Sequence, residues 1–282
     1  LLSLAAQKMT VGNLLQKYLD IQLSGKSSYD VARRLIAQLL SELSTSHIHD
    51  LTPLAILEWH RKHHATPHHA NRALGILRAA YRWGLLYGLT QTDPTIRIKK
   101  HPTESRSRYL SRAELAQLLA ALCQQSAQFR AYVLVLIYTG CRRSEARLAR
   151  WKDIDFENRL WKKPRAKAGR WHVVPLTTQA LEAIRKLPHK SEWIFPGMNG
   201  KAWSKSAVAK AWVKFRKLAG IGTVRLHDLR RTAASHMVIH GENLSVVQQM
   251  LDHSSLQQTA IYARLNTATL ARALQAHADR IS

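Results

Sequence analysis

The chain has 282 residues, of which 43 are Lys or Arg and 18 are Asp or Glu, giving a formal net charge of +25 at pH 7 and a pI near 10.7. That length suits two domains of ordinary size, and 46% hydrophobic residues suffice to build their cores. So large a cationic excess costs self-repulsion unless a polyanion neutralises it, and a nucleic acid is the expected partner.

Cys123 and Cys141 are the only cysteines. They are too few for a disulfide framework or a Cys-based zinc site, which suits a reducing, cytoplasmic interior and, for a protein of this charge, association with the nucleoid. The opening LLSLAAQKM has no basic stretch ahead of its apolar residues, and no apolar run reaches the ~18 residues needed to span a bilayer, so neither secretion nor membrane contact is indicated. A start at Leu1 rather than Met suggests a piece of a longer protein with a further module ahead of it.

The first part of the chain, residues 1–94, reads as helices. Thr10 can cap a helix that carries Leu14, Leu15, Tyr18 and Leu19 at three-and-four spacing. After Ser28 a second stripe runs through Ala32, Leu35, Ile36, Leu39, Leu40 and Leu43. Thr52-Pro53 and Thr66-Pro67 each put a capping residue before a proline at the first helical position, where its missing N–H costs nothing. The last helix carries Ala73, Leu74, Leu77 and Tyr81 and should stop near Gly88. Four short helices then make a small bundle. His60, His63, His64, His68 and His69 cluster here, three of them at i, i+3, i+4 spacing as metal ligands would be. Only Glu58 accompanies them as an acidic ligand, and solvated or DNA-facing histidines fit the basic segment better, so no metal is assigned.

Residues 95–110 are basic, proline-punctuated and without apolar periodicity, and read as a linker between two lobes, its cations available to phosphates. Ser111 with Glu114 has the spacing of a capping box, so a second domain, 111–282, begins there. FRAYVLVLIYTG is apolar enough for a buried helix, and Gly140 offers the break after which Arg142 stands at a new helix start with Glu145 one turn along to orient it. From Asp153 to Pro175, apolar residues alternate in part (Ile154 with Phe156, then Leu160, then Trp171 with Val173) around AKAGR, which suggests a small antiparallel sheet with Lys167 on its turn. Further on, His227 and Arg230 lie three apart in HDLRR, on one face of a helix, with Asp228 placed to satisfy its first amides. His253 and, nine residues later, Tyr262 follow in LDHSSLQQTAIYARL. Each of Arg142, Glu145 or His-x-x-Arg taken alone is more often a surface group, and an isolated helix tyrosine is more often core.

Taken in order, Arg142, Lys167, His227, Arg230, His253 and Tyr262 resemble the catalytic set of the tyrosine recombinase (phage-type integrase) family. The resemblance implies a mainly α fold with a small antiparallel sheet, a helical core-binding domain plus a mixed α/β catalytic domain. It also implies an enzyme: a site-specific recombinase that cleaves and rejoins double-stranded DNA through a 3′-phosphotyrosine, integrating or excising a mobile element. Tyr262 is then the nucleophile, His227 takes its proton, and Arg142, Arg230 and His253 stabilise charge on phosphorus. Lys167 protonates the departing 5′ oxygen; Lys163 and Arg170 flank it, and the Lys-x-Gly-Arg pattern selects Lys167. The family more commonly has Gly at the position of Asp252. No cofactor or metal enters this scheme, and the chain has no P-loop, Rossmann glycine pattern or acidic cluster suited to two-metal chemistry. The partners implied are duplex DNA, three further copies of the chain as a homo-tetramer on synapsed sites, and an accessory DNA-bending protein. Two other readings stand beside it: a type IB topoisomerase-like strand transferase, and a non-catalytic architectural protein on the same scaffold. Beyond the nucleophile, Leu270, Ala273 and Leu274 would form an apolar stripe on a tail helix that docks on its own domain or on a neighbouring protomer.

Overall fold

A computed structural model describes residues 9–104, 106–164 and 171–265, with Ala271, Leu274, Gln275, Ala278 and Asp279. The chain divides into two compact units, Leu1–Ser105 and Arg106–Ser282. Lys167 falls outside the described residues, as does most of the tail stripe. Among the described residues, no helix is long and apolar enough to cross a membrane.

In the first unit, α1 (Val11–Lys17) opens at Thr10, whose hydroxyl accepts from the Asn13 amide while the Asn13 side chain returns to the Thr10 amide. The helix continues as a π-helical stretch, Tyr18–Leu23, and α2 (Tyr29–Leu35) does likewise over Ile36–Leu40 before a 3₁₀ turn, Ser41–Leu43. Helix α3 (Pro53–Lys62) has the expected cap, the Thr52 hydroxyl accepting from the Ala55 amide. At α4 (Pro67–Leu86) the expectation is only half met: Thr66 stands at φ −125°, ψ 61° and its side chain makes no capping bond, so proline alone marks that start.

The stripe Ala70, Ala73, Leu74, Leu77, Ala80, Tyr81 and Gly84 of α4 is buried against Leu14, Leu15, Ile56 and Trp59. Helix α1 comes so close that a Cβ on Gly84 would meet Leu14 Cδ1 at 3.1 Å. Two long-range bonds from aromatics to backbone lock the bundle, Trp59 Nε1 to the Leu39 carbonyl at 2.8 Å and Tyr81 Oη to that of Ile48 at 3.1 Å. The chain turns after Leu86 with Gly88 at φ 68° and then packs back on the bundle: Arg78 donates to the carbonyls of Thr95 and Ile98, and Ile98 is buried. The start of the basic segment is thus tied to the helices.

The second unit is tied down from its first residues. Arg106 donates to Thr223, the Leu110 amide donates to the Thr232 hydroxyl, and Ser111 with Glu114 forms the expected capping box of α5 (Arg112–Leu122). Helix α6 (Ala127–Thr139) is buried around most of its circumference, as its apolar run from Ala131 to Tyr138 requires, and is packed by α8 (Thr178–Arg185) and α10 (Leu226–Ile239). It ends at Gly140 in the left-handed conformation, φ 59°, where a Cβ would meet Met250 Cε at 3.0 Å. Helix α7 (Arg143–Arg147) follows at once.

A three-stranded antiparallel sheet comes next, in the order β1 (Ile154–Asp155), β2 (Leu160–Pro164), β3 (Trp171–Pro175). Its facing corrects the sequence expectation. Trp171 and Val173 are exposed, and the inward positions of β3 are His172 and Val174, with Trp161 and Lys163 opposite them on β2. Helix α9 (Lys205–Leu218) completes the core through Val208, Trp212 and Phe215; α11 (Leu244–Leu251), α12 (Leu256–Thr259) and a 3₁₀ turn, Ala260–Leu265, close the described fold.

Candidate active site

Arg142 occupies the N-cap of α7 in extended conformation, φ −69°, ψ 142°, because Gly140 has reversed the chain immediately before it. Its amide donates to Glu145 Oε2 at 2.9 Å and its guanidinium Nη1 to Glu145 Oε1 at 2.8 Å. One carboxylate therefore caps the helix and aims the arginine. Across the site, Arg142 Nη2 donates to the Asp252 carbonyl at 3.3 Å.

Glu145 has a second partner that sequence reasoning treated only as a rival for another role. Lys163, 3% exposed on the inner face of β2, places Nζ 2.9 Å from Glu145 Oε2. Burial pushes the Glu145 carboxyl up, but Lys163 and Arg142 outweigh it by charge and hydrogen bonds and bring it down to about 2. Directly opposite Lys163 in register stands His172, whose Nδ1 lies 3.5 Å from Asp252 Oδ2. A period-two reading of HVV from His172 rather than Trp171 would have put both polar groups on the buried face.

The helix start expected at HDLRR is α10. The Arg225 amide donates to Asp228 Oδ2 at 2.8 Å, and Asp228 is buried. His227 and Arg230 then part in burial: His227 is exposed on the first turn, whereas Arg230 is 4% exposed. The Arg230 guanidinium donates to the Gly140 carbonyl at 2.8 Å and, in a short contact, to the Leu251 carbonyl. Burial first and Arg142 second lower its pKa. His227 is lowered as well, by partial desolvation and then by Arg230 and Arg231.

His253 follows the left-handed Asp252 (φ 52°) that ends α11. Its amide donates to the Gln248 carbonyl and its carbonyl accepts from Gln248 Nε2, so the backbone is gripped from both sides. Ring Nδ1 lies 2.9 Å from the Thr259 hydroxyl. Desolvation, then Arg230 and Arg142, push the imidazole down to about 4, so it is neutral at pH 7. A cleft of about 440 Å³ opens here, lined by Trp171, His172 and Val173 of β3 and by Gln248, Asp252 and His253.

Tyr262 sits on the 3₁₀ turn, 6% exposed, packed with Ala234, Val238, Val247 and Leu251. Burial raises its pKa while Arg230 and Arg231 pull the other way. Arg142, Arg230 and His253 thus converge on the turn at residues 251–253, and Tyr262 packs against the helices that form it. Of the six residues expected from sequence, five lie in this one region and Lys167 is not described. The array is cationic, rigid and half-buried, the character of a phosphate site.

The histidines of the first unit do something else. His60 Nε2 bonds Asn71 Oδ1 at 3.1 Å, His63 Nε2 faces Glu42 Oε1 at 3.2 Å, and His64 Nδ1 meets the Arg61 carbonyl at 3.1 Å. Among the described residues, no three His, Cys, Asp or Glu side chains are grouped as a metal cluster.

The chain is 28% identical over 266 residues to tyrosine recombinase XerC of Xanthomonas campestris pv. campestris, covering 90% of this chain and 77% of that protein. It is 28% identical over 195 residues to tyrosine recombinase XerA of Pyrococcus furiosus, 67% of this chain and 68% of that one. In fold it is similar to the Tn1549 transposon integrase in complex with circular intermediate DNA (TM-score 0.76, 19% identity, 90% and 95% of the two chains). It is equally similar to a lambda integrase dimer bound to a COC′ core site (TM-score 0.77, 18% identity, 92% and 78%). The pattern of the phage integrase family matches residues 108–269, more than half of the chain and the whole of the region just described, and the chain belongs to that family, the tyrosine recombinases.

Proposed function

We propose that this site-specific recombinase cleaves and rejoins duplex DNA with Tyr262 as nucleophile. The observation that carries the reading is the convergence of Arg142, Arg230 and His253 on one turn with Tyr262 packed beside it. The phenolic oxygen attacks phosphorus, the P–O5′ bond breaks, and a 3′-phosphotyrosine and a free 5′ hydroxyl result. About 0.1% of a tyrosine with a pKa near 10 is ionised at pH 7, and burial makes Tyr262 a weaker acid still, so a base is required. His227, exposed and held largely neutral, takes the proton. Arg142, Arg230 and His253 donate to the non-bridging oxygens as charge grows, and Lys167 gives its proton to O5′. The phosphodiester bond energy is conserved in the intermediate, so attack by a 5′ hydroxyl of another duplex rejoins strands without ATP.

Residues 1–94 act as the core-binding domain, gripping DNA together with a catalytic domain at 111–282, with the basic segment 95–110 passing along phosphates between them. The solved lambda integrase tetramer on a Holliday junction supports a homo-tetramer on synapsed sites, and integration or excision of a mobile element is the setting, with an accessory bending protein where the sites must be looped. The test is a nicked DNA substrate that traps the covalent complex. Tyr262→Phe, which removes one oxygen and no charge, should bind DNA normally and yield no denaturant-resistant adduct. An adduct persisting in that variant would remove Tyr262 from the role. Relaxed circles without recombinants would favour the topoisomerase reading instead.

A further inference from the structure

Thr259 ends α12 with its side chain 0% exposed, and its hydroxyl lies 2.9 Å from Nδ1 of His253. Buried threonines elsewhere in this unit behave differently. Thr232 donates its hydroxyl hydrogen to the Asp228 carbonyl one turn back at 2.8 Å, and Thr139 donates to that of Val135 at 2.6 Å. Thr259 belongs to a helix of four residues and makes no such bond among the described residues; His253 Nδ1 is the one hydrogen-bonding partner its hydroxyl has there.

A hydroxyl carries one hydrogen and a neutral imidazole one N–H, so this pair has two arrangements. With hydrogen on Nδ1, the ring donates to Oγ1, the buried hydroxyl hydrogen loses its only acceptor, and Nε2 is left as a lone pair. With hydrogen on Nε2, the hydroxyl donates to Nδ1, every hydrogen is used, and the ring presents an N–H outward. An unsatisfied buried donor is the costlier choice. The neutral state of His253 follows from its burial beside Arg230 and Arg142.

We propose that Thr259 is a positioning residue: its hydroxyl donates to His253 Nδ1 and holds the ring as the Nε2–H tautomer, the neutral form able to donate to a phosphate oxygen from that edge. The inference rests on the reading of His253 as a phosphate donor and adds the group that makes it one. The backbone grip of Gln248 on His253 fixes where the ring is, and Thr259 fixes which nitrogen carries the hydrogen.

The experiment uses the full chain. Protein labelled with ¹⁵N at histidine, with the His253 signals identified by their loss in His253→Gln, reports the tautomer directly at pH 7.5. Cleavage of a nicked DNA substrate and affinity for an intact duplex are measured for Thr259→Val and Thr259→Ser. Wild type should show Nε2 protonated and Nδ1 bare. Thr259→Val, of the same shape without the hydroxyl, should lose that preference and cleave ~10-fold or more slowly, short of the ~10²-fold expected for losing the donor itself, with DNA affinity within about twofold. Thr259→Ser should recover most of the rate, which a purely steric role would not produce. A wild-type ring protonated on Nδ1 overturns the proposal even if neither Thr259 variant can be purified, and so does a Thr259→Val enzyme that cleaves at the wild-type rate. Wild-type cleavage by His253→Gln would instead overturn the reading of His253 as donor, while the tautomer stays readable in the spectrum.

Discussion

His60, Asn71 and His101 bury polar atoms in the helical unit by closing a ring without net charge. Asn71 takes the His101 amide and His60 Nε2 on its oxygen and gives its N–H to the His101 carbonyl, His101 Nε2 bonds the His60 carbonyl, and the two imidazoles stack at 3.8 Å. In the second unit, Arg142, Lys163 and Arg230 are gathered around one deeply paired carboxylate, Glu145, with Asp252 beside them. The first cluster is satisfied from within. The second is held in place by carbonyls and Glu145 yet keeps an excess of positive charge, and a site built to receive an anion must do so. Burial of ionisable groups is common to both, so the charge left over separates scaffold from site.

The largest expected effect tests that surplus. Arg230→Ala should slow covalent-complex formation by at least ~10²-fold on a nicked substrate, the usual cost of losing a preorganised donor, and Arg142→Ala by a similar factor. Arg230→Ala also strips the partner from the Gly140 and Leu251 carbonyls, so its urea midpoint should fall, whereas the more exposed Arg142 should cost less stability. A rate near wild type in either variant would erase the distinction between the two clusters.

Lys163→Met comes next, because it leaves Glu145 buried with one cation instead of two. Breaking a buried pair on one side typically costs ~3–5 kcal/mol. The sign with pH follows from the direction of the shift. A carboxyl held below its unfolded value contributes stability that is present above about pH 4.5 and fades as pH falls toward about 2. Without Lys163, burial weighs more heavily, the folded-state pKa rises, and the acid loss should begin at higher pH. Urea unfolding across pH 3–7 measures both; Lys163→Met with Glu145→Gln should recover part of the loss. An unchanged acid limb would mean that Lys163 does not hold Glu145 charged.

Local chemistry is what the sequence displayed well. Capping pairs such as Ser111 with Glu114, the uninterrupted apolar run of α6 and the break at Gly140 need only neighbours in the chain, and each formed as expected. Arg142, Arg230, His253 and Tyr262 were legible for another reason: their order matches a known family, although residues 110 positions apart meet only in the fold. What escaped were groups whose meaning lies in a partner from elsewhere. Lys163 reads as an ordinary strand lysine until Glu145 is opposite it, and Thr259 as a helix threonine until its hydroxyl meets His253. The histidine cluster was deceptive in the other direction, being conspicuous in sequence while His60, His63 and His64 bond to their own unit in space.

A smaller effect belongs to that first cluster. Asn71→Ala removes three hydrogen bonds that join α4 to His60 and His101 and should lower stability by ~1–3 kcal/mol. Cleavage at saturating DNA should stay within about threefold of wild type. A hundredfold loss of rate at unchanged stability would show that the ring serves the chemistry after all.

The smallest effect concerns the sheet that carries Lys163. On β3, Val173 is 44% exposed and its neighbour Val174 3% exposed, the reverse of what pairing Val173 with Trp171 as the inner face requires. Valine and threonine have nearly the same shape and β-propensity, so exchanging them reads out solvation alone. Val173→Thr puts a hydroxyl in water and should change stability by less than ~0.5 kcal/mol. Val174→Thr puts the same hydroxyl opposite Trp161 in the core, where an unpaired polar group costs ~1–3 kcal/mol. The register makes the pair a probe of the site as well: a hairpin with Val173 inward would turn Lys163 and His172 outward and withdraw Lys163 from Glu145. Chemical denaturation of the two single variants should therefore give unequal losses, Val174 the greater, and equal or inverted losses would overturn the inward face on which the placement of Lys163 depends.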